Sequence, residues 1–201
     1  MFRNSRWIAA VVQVTVLTLP HHAARAEVFG DPSSYSTLLS VKDAIYALKG
    51  TPSHTGTCDS ITALLKFNFD SCKARCGLYT RSGNDTILVA NGVTAERRFG
   101  SNALFTWQGF AFNHPKPRIQ AGVEYFIAVF GDTAGTTAGG LPRLAGQSSG
   151  GVLLNKSTDY ESGFPAKTNP STAVLNFRAS VYCTYTLVLS PARRRHVCSP
   201  H

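Results

Sequence analysis

Hydrophobic and polar residues alternate with a period of two along two segments of the chain, a pattern typical of β-strands with one buried and one exposed face. In residues 61–69 every odd position is apolar and most even positions are polar. In residues 175–189 the odd positions are again apolar and the even positions mostly polar. A register shift of one residue in the second segment would bury Asn176 and Arg178, so its register is well determined. We therefore predict a strand at 61–69 and one long strand at 175–189.

Shorter segments predict the other strands. They are residues 73–81, 86–90, 103–112, 123–130 and 151–154. Residues 123–130 are apolar except for Glu124, which predicts a central strand covered on both faces. Residues 131–151 are rich in Gly, Thr and Ser, so we predict a long loop there and a second one at 155–173.

Many strands separated by turn residues, without a helical period, predict an all-β fold in which two antiparallel sheets form a β-sandwich. The composition agrees, because 17 Gly and 10 Pro with only 15% charged residues favour strands and turns over helices. The length of 201 residues suggests one domain with extensions. We place an N-terminal lead-in and loop at 27–60, the β-sandwich domain at 61–189 and a basic C-terminal tail at 190–201.

Residues 1–26 have the features of a secretory signal peptide. Arg3 and Arg6 precede an apolar run at residues 7–19, and the small-x-small sequence at 24–26 follows it. The run is shorter than a membrane-spanning helix requires, although an uncleaved anchor is the alternative. We expect no membrane span in the mature chain and a secreted or cell-surface location, periplasmic if the source is a Gram-negative bacterium.

The mature chain is only mildly basic. Removal of Arg3, Arg6 and Arg25 lowers Lys plus Arg from 20 to 17 against 11 Asp plus Glu, so the net charge falls from +9 to +6. Three of these charges are Arg193, Arg194 and Arg195 in the tail. A nucleic-acid partner is therefore not expected, since it would need a basic stripe on the folded domain.

Five cysteines lie in the mature part: Cys58, Cys72, Cys76, Cys183 and Cys198. All five are disulfide candidates if the chain is exported. A straight strand at 61–69 would separate Cys58 from Cys72 by too great a distance for a bond. Cys76 and Cys183 both point inward, and either they pair across the core or one of them is a buried thiol. The sequence leaves the connectivity open.

Several short motifs follow one another in an order that resembles a known group of proteins. They are Cys76-Gly-Leu-Tyr79, Thr86-Ile-Leu-Val-Ala90, Phe105-Thr-Trp107, Ala121 to Ala128, Tyr160-Glu-Ser-Gly-Phe164-Pro165 and Phe177 to Tyr185. Over roughly residues 60–186 the chain resembles the secreted jelly-roll-like β-sandwich modules of extracellular and surface proteins. The resemblance implies a jelly-roll-like fold and an extracellular location, and it implies no activity.

The candidate catalytic and metal-binding motifs have simpler explanations. Residues 146–150 match G-x-S-x-G around Ser148, but no helix pattern follows, as a nucleophile elbow requires. Cys72 and Cys76 with His54 lack a further close ligand pair for zinc. Asp132 and Asp159, in predicted loops, are more simply solvated acids than Ca²⁺ ligands. We predict no catalytic residue, no metal ligand and no cofactor.

Aromatic residues are the better candidates for binding. Trp107, Tyr160 and Phe164 could stack on sugar rings, although Trp107 is more simply a core residue. Tyr160 and Phe164, in a predicted loop, are expected to be more exposed. Asn84 and Asn155 begin N-glycosylation sequons, which matter only in a eukaryotic source.

These observations favour a non-catalytic secreted binding or adhesion module whose partner is an extracellular glycan or a surface protein. The alternatives are a purely structural surface protein, or a secreted hydrolase that uses Ser148 or a pair of carboxylates.

Overall fold

The computed structural model describes residues 25–67, 72–100, 102–133, 142–168 and 175–188, and this part of the chain forms fourteen β-strands. The strands are β1 (Ala26–Gly30), β2 (Thr37–Ser40), β3 (Ala44–Gly50), β4 (Gly56–Phe67), β5 (Cys72–Ser82), β6 (Asp85–Val93), β7 (Arg97–Phe99), β8 (Asn102–Ala111), β9 (Arg118–Ile119), β10 (Tyr125–Thr133), β11 (Pro142–Ser157), β12 (Lys167–Thr168), β13 (Leu175–Ala179) and β14 (Val181–Leu187). Within these ranges no helix could cross a membrane.

The strands form two antiparallel layers that share β11. In the first layer β14 lies between β1 and β4, and β8 and β9 follow on the far side of β4. The second layer has the order β11, β3, β10, β5, β6 and β12, with β7 on β5. The predicted all-β, antiparallel two-sheet, jelly-roll-like sandwich is confirmed.

The sixteen residues of β11 link the layers. Its first residues pair with β4 and β2, its middle residues pair with β13, and its last residues pair with β3. A bridge between Thr94 and Phe112 joins the layers again at another edge, so one sheet is nearly closed into a barrel.

The main core lies between the layers and confirms the predicted alternation. Along β4 the side chains of Ile61, Ala63 and Leu65 are fully buried, and along β14 those of Val181 and Cys183 are buried as well. A second, minor core covers the outer face of the second layer. Its buried members are Ile45, Ala47, Tyr79, Phe126, Ala128, Phe130 and Tyr160.

The prediction of one long strand at 175–189 is wrong, because the chain changes partners at Ser180. β13 pairs with β11, whereas β14 pairs with β4 and β1. The Ser180 backbone makes the crossing: its N–H donates to Ala145 O and its carbonyl accepts from Leu64 N. The side-chain alternation continues through this crossing, so the sequence pattern does not reveal it.

The segment 27–60, predicted as a lead-in and loop, contains β1, β2, β3 and the start of β4. β3 lies between β10 and β11, and its residues 44–48 are all buried. A strand buried on both faces has no alternation to detect. The predicted signal peptide up to residue 24 and the predicted tail at 190–201 lie outside the described residues.

Part of the loop predicted at 131–151 belongs to β11, which also extends into the loop predicted at 155–173. The small residues of this segment predicted a loop, but in the structure they allow neighbouring strands to pack closely. A Cβ on Gly146 would lie 2.0 Å from a ring carbon of Phe177, so only glycine allows β13 to pack so closely.

Candidate ligand-binding surface

The outer face of the first layer combines two aromatic rings with a row of hydroxyl groups. We call it the Trp107 face and define it by Trp107, Tyr182, Thr62, Ser60 and Thr184. All five are partly exposed, and none carries a charge. They point outward because their strand neighbours face the main core. Examples are Phe110 on β8, Ile61 on β4 and Cys183 on β14.

Trp107 and Tyr182 form the aromatic part of this face. Their ring centroids are 5.4 Å apart and their planes meet at 62°, an edge-to-face contact across β4. The strand register places Trp107 opposite Leu64, and Tyr182 in line with Thr62 and Gly109. A Cβ on Gly109 would meet only Thr62 Oγ1, at 3.9 Å, so the surface beside the rings is open.

The hydroxyl groups continue the face away from the rings. Thr184 and Ser60 are paired one row beyond Tyr182 and Thr62, roughly 6.7 Å further along the strands. A β-bulge in β4 then turns Asp59 outward. The Asp59 carboxylate accepts hydrogen bonds from Thr186 Oγ1 and Lys116 Nζ, each at 2.7 Å. The face therefore runs from aromatic rings to neutral hydroxyls, and the paired Asp59 carboxylate borders it.

The structure does not bring the three predicted aromatic residues together. Trp107 lies on the first layer, whereas Tyr160 and Phe164 belong to the minor core on the second layer. The expected exposure of Tyr160 is wrong, because only 1% of its surface is accessible. Its ring packs against Phe130 with centroids 4.8 Å apart, and burial raises the pKa of its hydroxyl.

The segment that carries Tyr160 and Phe164 is held on the sheet by Arg75. The Arg75 guanidinium donates a hydrogen bond to Tyr160 O and lies 4.3 Å from the centre of the Tyr160 ring. The Phe164 ring lies against Gly77, where a Cβ would be only 3.0 Å away. These contacts account for the positions of both aromatic residues through packing.

A shallow cleft opens beside the minor core. Its apolar lining includes Ile45, Phe126 and Leu154. At its rim Thr86 Oγ1 and Thr168 Oγ1 bond to each other at 2.7 Å, so these two hydroxyls already satisfy one another. The polar lining of the cleft also includes Asn155 and Lys156.

Ser148 does not lie in a nucleophile elbow. Residues 146–150 belong to β11, and the strand continues before and after them. The pairing with β13 is irregular here, because the four residues 148–151 lie opposite the single residue Phe177. An elbow needs a sharp turn from a strand into a helix. The close packing at Gly146 explains one glycine of the motif without catalysis.

Glu27, Ser53, His54 and Tyr185 form a polar cluster at the edge of the first layer. Glu27 Oε2 lies 2.8 Å from His54 Nδ1, accepts from Tyr185 OH at 2.8 Å and accepts from Ser53 Oγ at 3.0 Å. Hydrogen bonds from His54 and Tyr185 lower the pKa of Glu27 to about 2. In a catalytic triad the serine bonds the imidazole nitrogen that does not face the carboxylate. Here Ser53 contacts Nδ1, the nitrogen that also bonds Glu27, so the cluster has the geometry of a structural clamp.

The two loop acids considered for Ca²⁺ have protein partners. Asp132 lies 3.5 Å from Lys73 Nζ, and Asp159 Oδ1 accepts from the backbone N–H of Glu161. Among the described residues no group of three or more His, Cys, Asp or Glu could hold a metal ion.

The remaining candidates have distinct environments. Cys58, Cys76 and Cys183 are buried thiols in this structure, Cys72 is buried at the start of β5, and Cys198 lies outside the described residues. Asn84 is exposed in the turn between β5 and β6. Asn155 lies within β11 with its Oδ1 buried, so Asn84 is the more accessible sequon.

Tyr182, Thr184 and Asp59 are surface residues that sequence reasoning did not select. Tyr182 and Thr184 lie on the polar side of an alternating strand. A tyrosine among threonines on that side predicts an outward aromatic ring beside hydroxyl groups, so the sequence could have identified both residues. The position of Asp59 depends on the bulge, for which the sequence has no clear mark.

Comparison with known proteins gives distant structural likenesses. No protein-family model and no curated protein match the sequence. A chain from the structure of infectious bursal disease virus, Gx strain, aligns with a TM-score of 0.37 and 11% identity over 92% of this chain. A chain from the Gt strain aligns with a TM-score of 0.31 and 8% identity over 91% of this chain. This chain spans about half the length of those viral chains, 47% in each case. At these identities and TM-scores the comparisons assign the chain to no family.

Proposed function

We propose that this protein is a secreted, non-catalytic binding module that recognises a neutral glycan on its Trp107 face. The observation that carries the proposal is the pair of partly exposed rings, Trp107 and Tyr182, beside outward hydroxyl groups on one face of a sheet. Aromatic faces provide apolar contact to the C–H side of a sugar ring, and neighbouring polar groups bond its hydroxyls.

The rest of the face supports a polar but uncharged ligand. Thr62, Ser60 and Thr184 can donate and accept hydrogen bonds, as sugar hydroxyls also can. The Asp59 carboxylate is already bonded to Lys116 and Thr186, so it contributes acceptor sites without an unpaired charge. An acidic glycan is less well matched, because the face itself has no cationic member.

The face is also rigid, which reduces the entropy lost on binding. Its residues lie on β4, β8 and β14, paired strands whose opposite side is the main core. The cleft beside the minor core is a weaker candidate, since its aromatic residues Tyr79 and Phe126 are buried.

The test is a glycan array probed with the folded protein, followed by titration calorimetry on any glycan that binds. The Trp107→Ala and Tyr182→Ala variants should each weaken binding about tenfold or more, equivalent to about 1.4 kcal/mol. Thr62→Arg should also weaken binding, because it fills the open surface beside Gly109 while leaving both rings in place.

Phe164→Leu is the matched control, since it changes an aromatic residue of the minor core. It should leave the affinity unchanged. If the folded protein binds no glycan on a broad array, the proposal is refuted and the purely structural alternative is favoured. Loss of binding in Phe164→Leu with retention in Trp107→Ala would instead move the site to the second layer.

A further inference from the structure

Cys58 and Cys183 lie next to each other on adjacent antiparallel strands of the first layer. β4 and β14 pair with Thr184 opposite Ser60 and Tyr185 opposite Cys58, so Asp59 is an extra residue on β4. This bulge reverses the alternation of β4. Asp59 turns outward, whereas Cys58 turns into the main core on the same side as Cys183.

Both thiols lie in the main core with no accessible surface. Burial raises the pKa of Cys183, and the neighbouring Cys58 thiol raises it further. Diagonal neighbours on one face of an antiparallel pair have Cα atoms about 7–8 Å apart and Cβ atoms somewhat closer, so a small shift of the strands brings them within disulfide range.

Cys76 is the other cysteine considered as a partner for Cys183, and the topology disfavours it. Cys76 lies on β5 in the second layer, opposite Val129 of β10. Facing sheets are about 10 Å apart, whereas bonded cysteines require Cα atoms within about 7 Å. Cys58 already occupies the position beside Cys183.

We propose that Cys58 and Cys183 form a disulfide that covalently joins β4 to β14 when the chain folds under oxidising conditions. The oxidant is a disulfide compound, either a small molecule or a protein. One cysteine thiolate attacks the oxidant and releases one thiol, and the second thiolate then attacks the mixed disulfide and releases another. The protein loses two protons and two electrons, and the oxidant is reduced to two thiols.

The bond forms before the core closes. Burial raises the pKa of the Cys183 thiol well above its usual value, so the thiolate that must attack is scarce in the folded protein. In the unfolded chain both cysteines are accessible, and pairing of β4 with β14 brings them together. This inference does not depend on glycan binding.

The experiment is refolding of the full reduced chain in a glutathione redox buffer, followed by alkylation, proteolysis without reduction and mass spectrometry. We expect one peptide pair that contains Cys58 and Cys183 and separates on reduction. Wild-type protein refolded under reducing conditions should melt about 10 °C lower than the oxidised form.

Cys76→Ala is the control and should retain the cross-linked pair, whereas Cys58→Ala and Cys183→Ala should each lose it. The wild-type peptide assignment stands even if a variant fails to fold. Quantitative alkylation of both cysteines after oxidative refolding would overturn the proposal, and so would a pair that links Cys183 to Cys76.

Discussion

At Gly146 the absence of a side chain decides how two strands pack. The Phe177 ring occupies the space where a Cβ would lie, and Arg178 O is also only 2.7 Å from that position. Gly109 is the opposite case, because its Cβ would meet only Thr62 Oγ1 at 3.9 Å. Two glycines in strands of one protein therefore have different roles, which only their surroundings distinguish.

Gly146→Ala should lower the free energy of unfolding by about 2–3 kcal/mol, because either the Phe177 ring or the β13 backbone must move. Chemical denaturation followed by circular dichroism measures the change. Gly109→Ala is the control and should stay within about 0.5 kcal/mol of wild type. Equal stability of the two variants would show that the close packing at Gly146 does not constrain the fold.

Among the strands, β1 is held by polar contacts as well as by Phe29, which is buried in the main core. Among the described strands it pairs only with β14, and its Val28 is half exposed. The Glu27 carboxylate of β1 bonds to Ser53 and His54 in the turn before β4, and to Tyr185 of β14. One carboxylate thus joins three parts of the first layer.

The strength of this junction should depend on pH. The pKa of Glu27 falls from 4.5 to about 2 on folding, so its ionised form stabilises the folded state above pH 4.5. That contribution should disappear as the pH falls from 4.5 to 2. Urea unfolding at a series of pH values should show that the free energy of unfolding falls less between pH 4.5 and 2 for Glu27→Gln than for wild type.

Tyr185→Phe tests the same junction from the other side, because it removes one hydrogen-bond donor to Glu27. Its loss of unfolding free energy between pH 4.5 and 2 should lie between the losses of wild type and Glu27→Gln. Parallel curves for all three proteins would contradict the assignment of this acid sensitivity to Glu27.

At the scale of the whole molecule, β11 makes the two layers a single unit. Its N-terminal residues pair with β4 in the first layer, and its C-terminal residues pair with β3 in the second. Separation of the layers would break one of these ladders and open the main core, so neither layer can lose its structure alone.

We therefore expect a single unfolding transition. In a Trp7→Phe background, fluorescence of Trp107 reports on the first layer, and hydrogen exchange of β10 amides reports on the second. The two probes should give the same urea midpoint. Distinct midpoints would mean that the layers unfold separately despite the shared strand.

The sequence alone determined the class of the fold and the side of several strands that faces the core. Alternation along residues 61–67 and 181–187 needs no knowledge of the partner strands, because burial of every second side chain already follows from one hydrophobic face. The polar side of the same strands contained Thr62, Tyr182 and Thr184, so much of the candidate site was present in the pattern.

Only the tertiary structure decided which strands are neighbours and which aromatic residues are exposed. The partner change at Ser180 and the bulge at Asp59 leave hydrophobicity almost unchanged, yet they determine the strand order and bring Cys58 beside Cys183. Tyr160 follows a loop-like sequence but is buried by Phe130 and Arg75 from distant strands. Local patterns record how much surface a residue must bury, whereas the identity of the covering residues depends on contacts far apart in the chain.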